Sequence, residues 1–203
     1  MPYTQFTFSA LGRVAKASGV VRPAHIRHAQ RLMFDLRFDF EDRRRAIAWF
    51  NSGKQSDFDL APLARACLDS VDDREVLNEM AIESLCAMAW TEGPPNPDCR
   101  RELERLAGLL GIGATQLNGA EFRVADHQRR QLPLNVRRAY QMLGVDHWVD
   151  EALLKLAYRR LMSRHHPDKL GVAIDIREIQ NARENSVAVR DAYDLIRASR
   201  NSV

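Results

Sequence analysis

The sequence predicts an all-α protein, a helical bundle followed by a helical hairpin. Three observations carry that prediction. Apolar residues recur at the three- and four-residue spacing of a helix face along almost the whole chain of 203 residues. The strict alternation of a half-buried strand is scarce. Glycines and prolines fall between the periodic stretches, where they stop one helix or open the next.

The elements follow in order. Phe8, Leu11 and Ala15 repeat at helical spacing, and the run stops at Ser18-Gly19. Pro23 opens a second helix, because its fixed φ and missing N–H suit a first turn. Ile26, Ala29, Met33 and Phe34 are expected to face inward there. Asp39 is placed to cap a third helix, carried by Ala46, Ile47 and Phe50 and ending near Gly53. Gln55-Ser56-Asp57 reads as a loop. Asp59 caps a short helix through Leu63, Ala66 and Cys67, and Asp72 a longer one through Val76, Met80, Leu85 and Met88. Gly93-Pro94-Pro95-Asn96-Pro97 ends it. Leu103, Leu106 and Leu110 mark a sixth helix that stops at Gly111, and residues 114–124 add a turn or two. Residues 125–134, polar and basic up to Pro133, read as a linker between a unit of 1–124 and a unit of 135–203. Within the first unit the stretches ending at Gly19 and Gly93 echo each other: helix, glycine turn, proline-started helix. Two such halves would pack as one bundle; chance likeness between helical hairpins is the alternative.

Composition excludes several classes. With 45% hydrophobic and 28% charged residues the chain can bury a core. A net charge of +3 is too small to argue for nucleic acid, and acids such as Asp39, Glu41, Asp42, Asp69, Asp72 and Asp73 offset Arg129, Arg130, Arg137 and Arg138. Cys67, Cys86 and Cys99 are odd in number and lack metal-site spacing, so they read as buried free thiols in a reducing compartment. No stretch is long and apolar enough to span a bilayer, and the start is not a signal peptide. A soluble, cytoplasmic chain is the expectation. Asn51-Ser52-Gly53-Lys54 hints at a phosphate loop, but Ala48 stands where its upstream glycine belongs. His165, His166 and Asp168 are poorly arranged for one ion, since adjacent histidines on a helix diverge. No nucleophile–base pair is present. The expectation is therefore no enzyme, no cofactor and no metal.

The richest stretch lies in the second unit. Leu154, Ala157 and Leu161 form a buried stripe with Tyr158 at its edge, and Ala192, Leu195 and Ile196 form the facing stripe on the last helix. An antiparallel hairpin follows, with a short helix of about 137–143 packed across it. Pro167 removes a backbone donor and fixes φ, so the long helix must end near His165. His166 and Asp168 then project from a stiff corner. Lys155, Arg159, Arg160 and Arg164 occupy both margins of the polar arc of that helix; a merely solvated face is the plain alternative.

The order Tyr140-Gln141-Met142-Leu143-Gly144-Val145, Ala157-Tyr158-Arg159-Arg160-Leu161, His166-Pro167-Asp168 and Asp191-Ala192-Tyr193-Asp194-Leu195-Ile196 resembles the J-domain family along the whole unit. That resemblance implies a partner, a DnaK-type heat-shock chaperone, and a regulatory role rather than a catalytic one. The basic helix would meet an acidic groove on the chaperone's ATPase. His166, Pro167 and Asp168 would contact it near its interdomain linker and stimulate ATP hydrolysis. Lys155, Tyr158, Arg159, Arg160, Arg164 and Lys169 would make the supporting contacts. The likeness has gaps: Asn185 to Arg190 lacks the usual Lys-Phe motif, and neither a glycine/phenylalanine-rich tail nor a Cys-x-x-Cys zinc module follows.

The first unit resembles the TerB-like bundle, on Ala15-Lys16-Ala17-Ser18-Gly19-Val20-Val21 and Gly53-Lys54-Gln55-Ser56-Asp57-Phe58. A TerB-like bundle followed by a J-domain is the arrangement of DjlA-type co-chaperones, and Arg159 to Leu170 is similar to that subgroup. TerB relatives place acids around the glycine turns to bind a hard cation. Here Ser18, His25 and Cys99 stand at three such positions and only Glu92 is acidic, so no metal is expected. DjlA-type proteins also begin with a membrane-spanning helix. The resemblance thus leaves two locations open: the cytoplasm, or the cytoplasmic face of the inner membrane if the chain is part of an anchored protein. The competing function is a scaffold whose first unit recruits a client or membrane-associated protein, its J-like unit having lost the ATPase role.

Overall fold

The computed structural model describes residues 2–70, 74–165 and 176–201, and every regular element among them is a helix. The order is α1 (Pro2–Ala17), α2 (Pro23–Asp35), α3 (Phe40–Gly53), α4 (Ala61–Ser70), α5 (Arg74–Ala89), α6 (Pro97–Leu109), α7 (Ala114–Gln131), α8 (Leu134–Leu143), α9 (Glu151–His165) and α10 (Ile176–Asn201). Two compact units result, Met1–Asp126 and His127–Val203.

In the first unit α1 is the axle, packed by α3, α4, α5 and α6. A helix enclosed on several sides needs apolar or small residues around most of its girth, and Phe6, Phe8, Ser9, Leu11, Gly12 and Val14 are all buried. Gly12 and Gly53 mark the crossing of α1 and α3. A Cβ on Gly12 would overlap the Phe50 carbonyl, and one on Gly53 the Ser9 carbonyl. Gly53 therefore does more than stop a helix: it lets two backbones touch. Arg13 then ties the end of α3 down, donating from Nε to the Gly53 carbonyl at 2.9 Å and from Nη2 to those of Gln55 and Phe58 at 2.7 and 2.6 Å.

The two glycine turns repeat closely. Gly19 and Gly93 adopt φ of 119° and 118°, and each is followed by a helix that starts on proline. Local caps follow the side-chain chemistry. Asp39 accepts from the Asp42 N–H at 2.8 Å, Asn96 from Cys99 at 2.8 Å and Asp59 from Ala61 at 2.9 Å. Asp72 lies outside the described residues.

The inward faces differ from expectation at five positions. Ile26 and Phe34 on α2, Ile47 on α3, and Val76 and Met80 on α5 are exposed. On α2 the buried line is His25, Ala29 and Met33, a single i, i+4, i+8 stripe that leaves no room for Ile26. Phe38, in the turn after α2, takes the aromatic place beside Phe8, with ring centroids 5.6 Å apart, so Phe34 is left outside. On α5 the buried set begins at Ala81, and the first turns extend past the core.

Helix α7 also outruns expectation. Residues 125–131, expected as linker, continue its helix. No glycine or proline interrupts the chain between Gly119 and Pro133, and Arg129 and Arg130 in the last turn suit the negative end of the helix dipole. Polarity alone was not a break signal.

In the second unit α10 runs between α8 and α9 and packs on both. Leu154 and Ile196 are fully enclosed, joined by Val136, Ala139, Tyr140, Leu143, Val189 and Ala192; Tyr158, Leu161 and Leu195 pack at the margin. Gly144, at φ 67°, ends α8 in the left-handed conformation that glycine tolerates. Arg200 closes the far end, donating to Tyr140 Oη at 3.0 Å and to the Val149 carbonyl at 2.6 Å.

Candidate functional site

Helix α9 begins on a sound cap: the Asp150 carboxylate accepts from the Leu153 N–H at 2.7 Å. At 100° per residue, its inner arc collects Leu154, Ala157, Tyr158, Leu161, Met162 and His165, which are buried or half-buried. The outer arc holds the four cations, all exposed. Lys155 and Arg159 stand on one margin and Arg160 and Arg164 on the other, roughly 140° round the helix by that geometry. None of the four is bonded to an acid among the described residues, whereas Arg197 and Arg200 on α10 both lie within 4 Å of Glu151, at 3.7 and 3.6 Å.

Tyr158 sits beside the first pair. Its ring stacks on Tyr193 of α10, with centroids 4.4 Å apart and planes at 21°, and the Arg197 guanidinium lies 5.8 Å from the Tyr193 centroid. The stack fixes the margin of the cationic arc to α10. The end of α9 is held likewise: Ser186 Oγ on α10 donates to the His165 carbonyl at 2.9 Å. His166, Pro167, Asp168 and Lys169 lie outside the described residues. The structure thus brings together Lys155, Tyr158, Arg159, Arg160 and Arg164 on one helix.

Sequence reasoning passed over two residues on that arc. Leu153 and Leu156 are 52% and 59% exposed, and by helix geometry Leu156 falls between the two cationic pairs and Leu153 on the margin of Arg160 and Arg164. The signal was present, two leucines on the polar side of a helical wheel, but they were not separated from the core leucines beside them.

The glycine turn of the first unit holds the positions compared with a cation site. The Arg22 N–H donates to His25 Nδ1 at 3.0 Å, so Nδ1 is an acceptor and the proton sits on Nε2, which faces Ser18 Oγ at 3.2 Å. Ser18 Oγ in turn donates to the Ala15 carbonyl at 2.8 Å. Burial pushes the His25 pKa below its usual value, against the pull of Glu92. Both ring nitrogens are engaged, Glu92 pairs with Arg22 at 3.3 Å, and Cys99 is enclosed with its thiol pushed up to about 11 by burial. No group of three or more His, Cys, Asp or Glu among the described residues is arranged to hold a metal ion. Nor is any described helix long and apolar enough to cross a membrane.

The fold is all-helical, and α9 presents an exposed cationic arc with no acid bonded to it among the described residues. Comparison with known proteins gives the class. The chain is 34% identical to the co-chaperone protein DjlA of Shewanella oneidensis, over 96% of its own length and 76% of the relative's. It is 32% identical to the DjlA of Vibrio cholerae over 94% and 75%, and 29% identical to that of Coxiella burnetii over 97% and 77%. No family model and no solved structure matches. The chain belongs to the DjlA family of co-chaperones.

Proposed function

We propose that this co-chaperone acts on a DnaK-type chaperone: the outer arc of α9 docks on the chaperone's ATPase, and the His166-Pro167-Asp168 corner stimulates ATP hydrolysis. The observation that carries the reading is the set of four exposed cations on one helix with no acid bonded to them among the described residues. Charges that find no acid among the described residues along about two and a half turns are available to an acidic partner; such complementarity steers encounter and fixes register more than it adds affinity. The stacked Tyr158 and the bond from Ser186 to the end of α9 support it, because a helix that must aim a corner at a partner benefits from a rigid base. In this reading residues 1–124 are a TerB-like bundle and 135–203 a J-domain, the chain works in the cytoplasm or at the cytoplasmic face of the inner membrane, and it turns over no substrate of its own.

Binding to the chaperone tests the docking face. Affinity is expected to fall at least about tenfold between 50 and 500 mM salt, since exposed charges are screened over that range. Reversing Arg159 and Arg160 to Glu is expected to abolish binding while leaving the thermal midpoint unchanged. Salt-independent binding, or full binding by the reversed variant, contradicts the reading.

A further inference from the structure

Helices α2 and α3 meet at a corner whose outward residues lie outside the core of the first unit. Residues 36–39 connect them, and Phe38 turns inward onto Phe8. Its neighbours turn out: Phe34 and Phe40 are each 73% exposed, and Leu36 is exposed between them. Single exposed apolar residues need no account, but three around one short turn form a patch.

Arg37 stands at the apex with φ 55°. A non-glycine residue in this left-handed region is uncommon, and glycine is the relaxed choice there. The Arg37 side chain is exposed and bonds to nothing among the described residues; so is Arg27, one helix length back. The acids nearby are answered locally. Asp35 lies 3.9 Å from Arg31, Glu41 3.3 Å from Arg44 and Asp42 2.5 Å from Arg45, while Asp39 caps α3. Residues 27–45 hold six arginines against four acids, so the surplus is cationic. Its placement is ordered. Arg27, Arg31 and Phe34 share one exposed face of α2, and Phe40, Arg44 and Ile47 one exposed face of α3. On α2 the arginines stand behind Phe34 at the turn; on α3 Arg44 stands between Phe40 at the turn and Ile47.

We propose that this corner docks on an anionic lipid surface, with Phe34, Leu36 and Phe40 entering the headgroup layer and Arg37 and Arg27, the cations without an acid among the described residues, lying against the phosphates. A lipid leaflet offers phosphate outside and hydrocarbon inside, the order in which cations and rings are stacked along this tip. Arginine near such a surface gains from its negative potential, and its stem can reach back while its head stays at the phosphates. Exposed rings and a leucine with cations beside them suit a soft layer; a protein partner would need a pocket for two rings rimmed with acids.

The test is co-sedimentation of the full chain with phosphatidylcholine vesicles, with and without phosphatidylglycerol. Binding to the anionic vesicles alone is expected, and its loss in the Phe34→Ser, Phe40→Ser double variant. Arg37→Gly separates a binding role from a structural one. It is expected to weaken vesicle affinity about fivefold while holding or raising the thermal midpoint, because it relaxes the backbone. No binding by the folded wild type, or binding that both variants retain, overturns the proposal. So does a double variant whose only change is loss of a dimer in light scattering, which would make a second copy of the chain the occupant.

Discussion

His25, His28 and His147 are each held below the ordinary histidine pKa, and in each case burial is the largest cause. For His147 burial outweighs Asp146, whose carboxylate lies 2.7 Å from Nδ1. The sign follows from linkage. The folded state prefers the neutral rings, so below the unfolded value of 6.5 the unfolded chain takes up protons first. Stability is therefore full above about pH 6.5 and falls as pH drops through the folded values. Melts between pH 8 and 5 are expected to show a midpoint that is level down to about 6.5 and then declines; a flat profile to pH 5 would contradict these assignments. The cysteines give a second check. Burial pushes Cys67, Cys86 and Cys99 up to about 11, 12 and 11, and only the thiolate is a nucleophile. A thiol reagent at pH 8 is expected to label none of them rapidly in the native state and all of them after denaturation. The cysteines could be read from sequence as small buried hydrophobes. His25 could not: a polar ring takes the inward place ahead of Ile26 because Arg22 and Ser18 satisfy both its nitrogens, a fact of three-dimensional neighbours. Phe34 was expected inward for a similar reason, since apolar character does not tell that Phe38 is the ring that reaches Phe8.

The elements themselves were legible where their signals are local. Asp39 and Asp59 accept N–H bonds at the starts of α3 and α4 as expected, and Pro23, Gly93 and Pro97 punctuate as their backbone chemistry requires; the Asn96 cap of α6 was not singled out from its helix-breaking run. Asp39→Ala is expected to cost about 1 kcal/mol in a urea unfolding titration. The end of α7 was not legible, because residues 125–131 are polar without being helix breakers. Long-range packing was also hidden. Nothing near Gly12 in the sequence announces that it touches the Phe50 carbonyl, and Gly53 read only as a stop. Gly12→Ala is expected to destabilise the bundle by more than about 2 kcal/mol, because the obstruction is backbone rather than a side chain that can swing away; a cost near zero would mean that the α1–α3 crossing is looser than described. On α9 the buried stripe and the cationic arc both followed from helical spacing. The brace from Ser186 to His165 joins residues 21 apart and needed the fold.

At the scale of the whole molecule, an all-α chain of the DjlA family combines a bundle built on α1 with a unit of α8, α9 and α10, in which four exposed cations on α9 meet no acid among the described residues. The role of that arc rests on its charge and on the tripeptide that follows it in sequence; His166, Pro167 and Asp168 lie outside the described residues, so their part is for function to decide. A bound co-chaperone can shift its partner only through different affinities for the partner's two states. If the proposed function holds, the arc and the tripeptide are separable: a tripeptide variant is expected to bind still but no longer to shift the equilibrium. Single-turnover ATP hydrolysis by a DnaK-type chaperone, with this chain and with its His166→Gln variant, is the most direct measurement. Acceleration by the wild type and a basal rate with a variant that still binds is the result expected. A basal rate with the folded wild type, or equal acceleration by the variant, would contradict it.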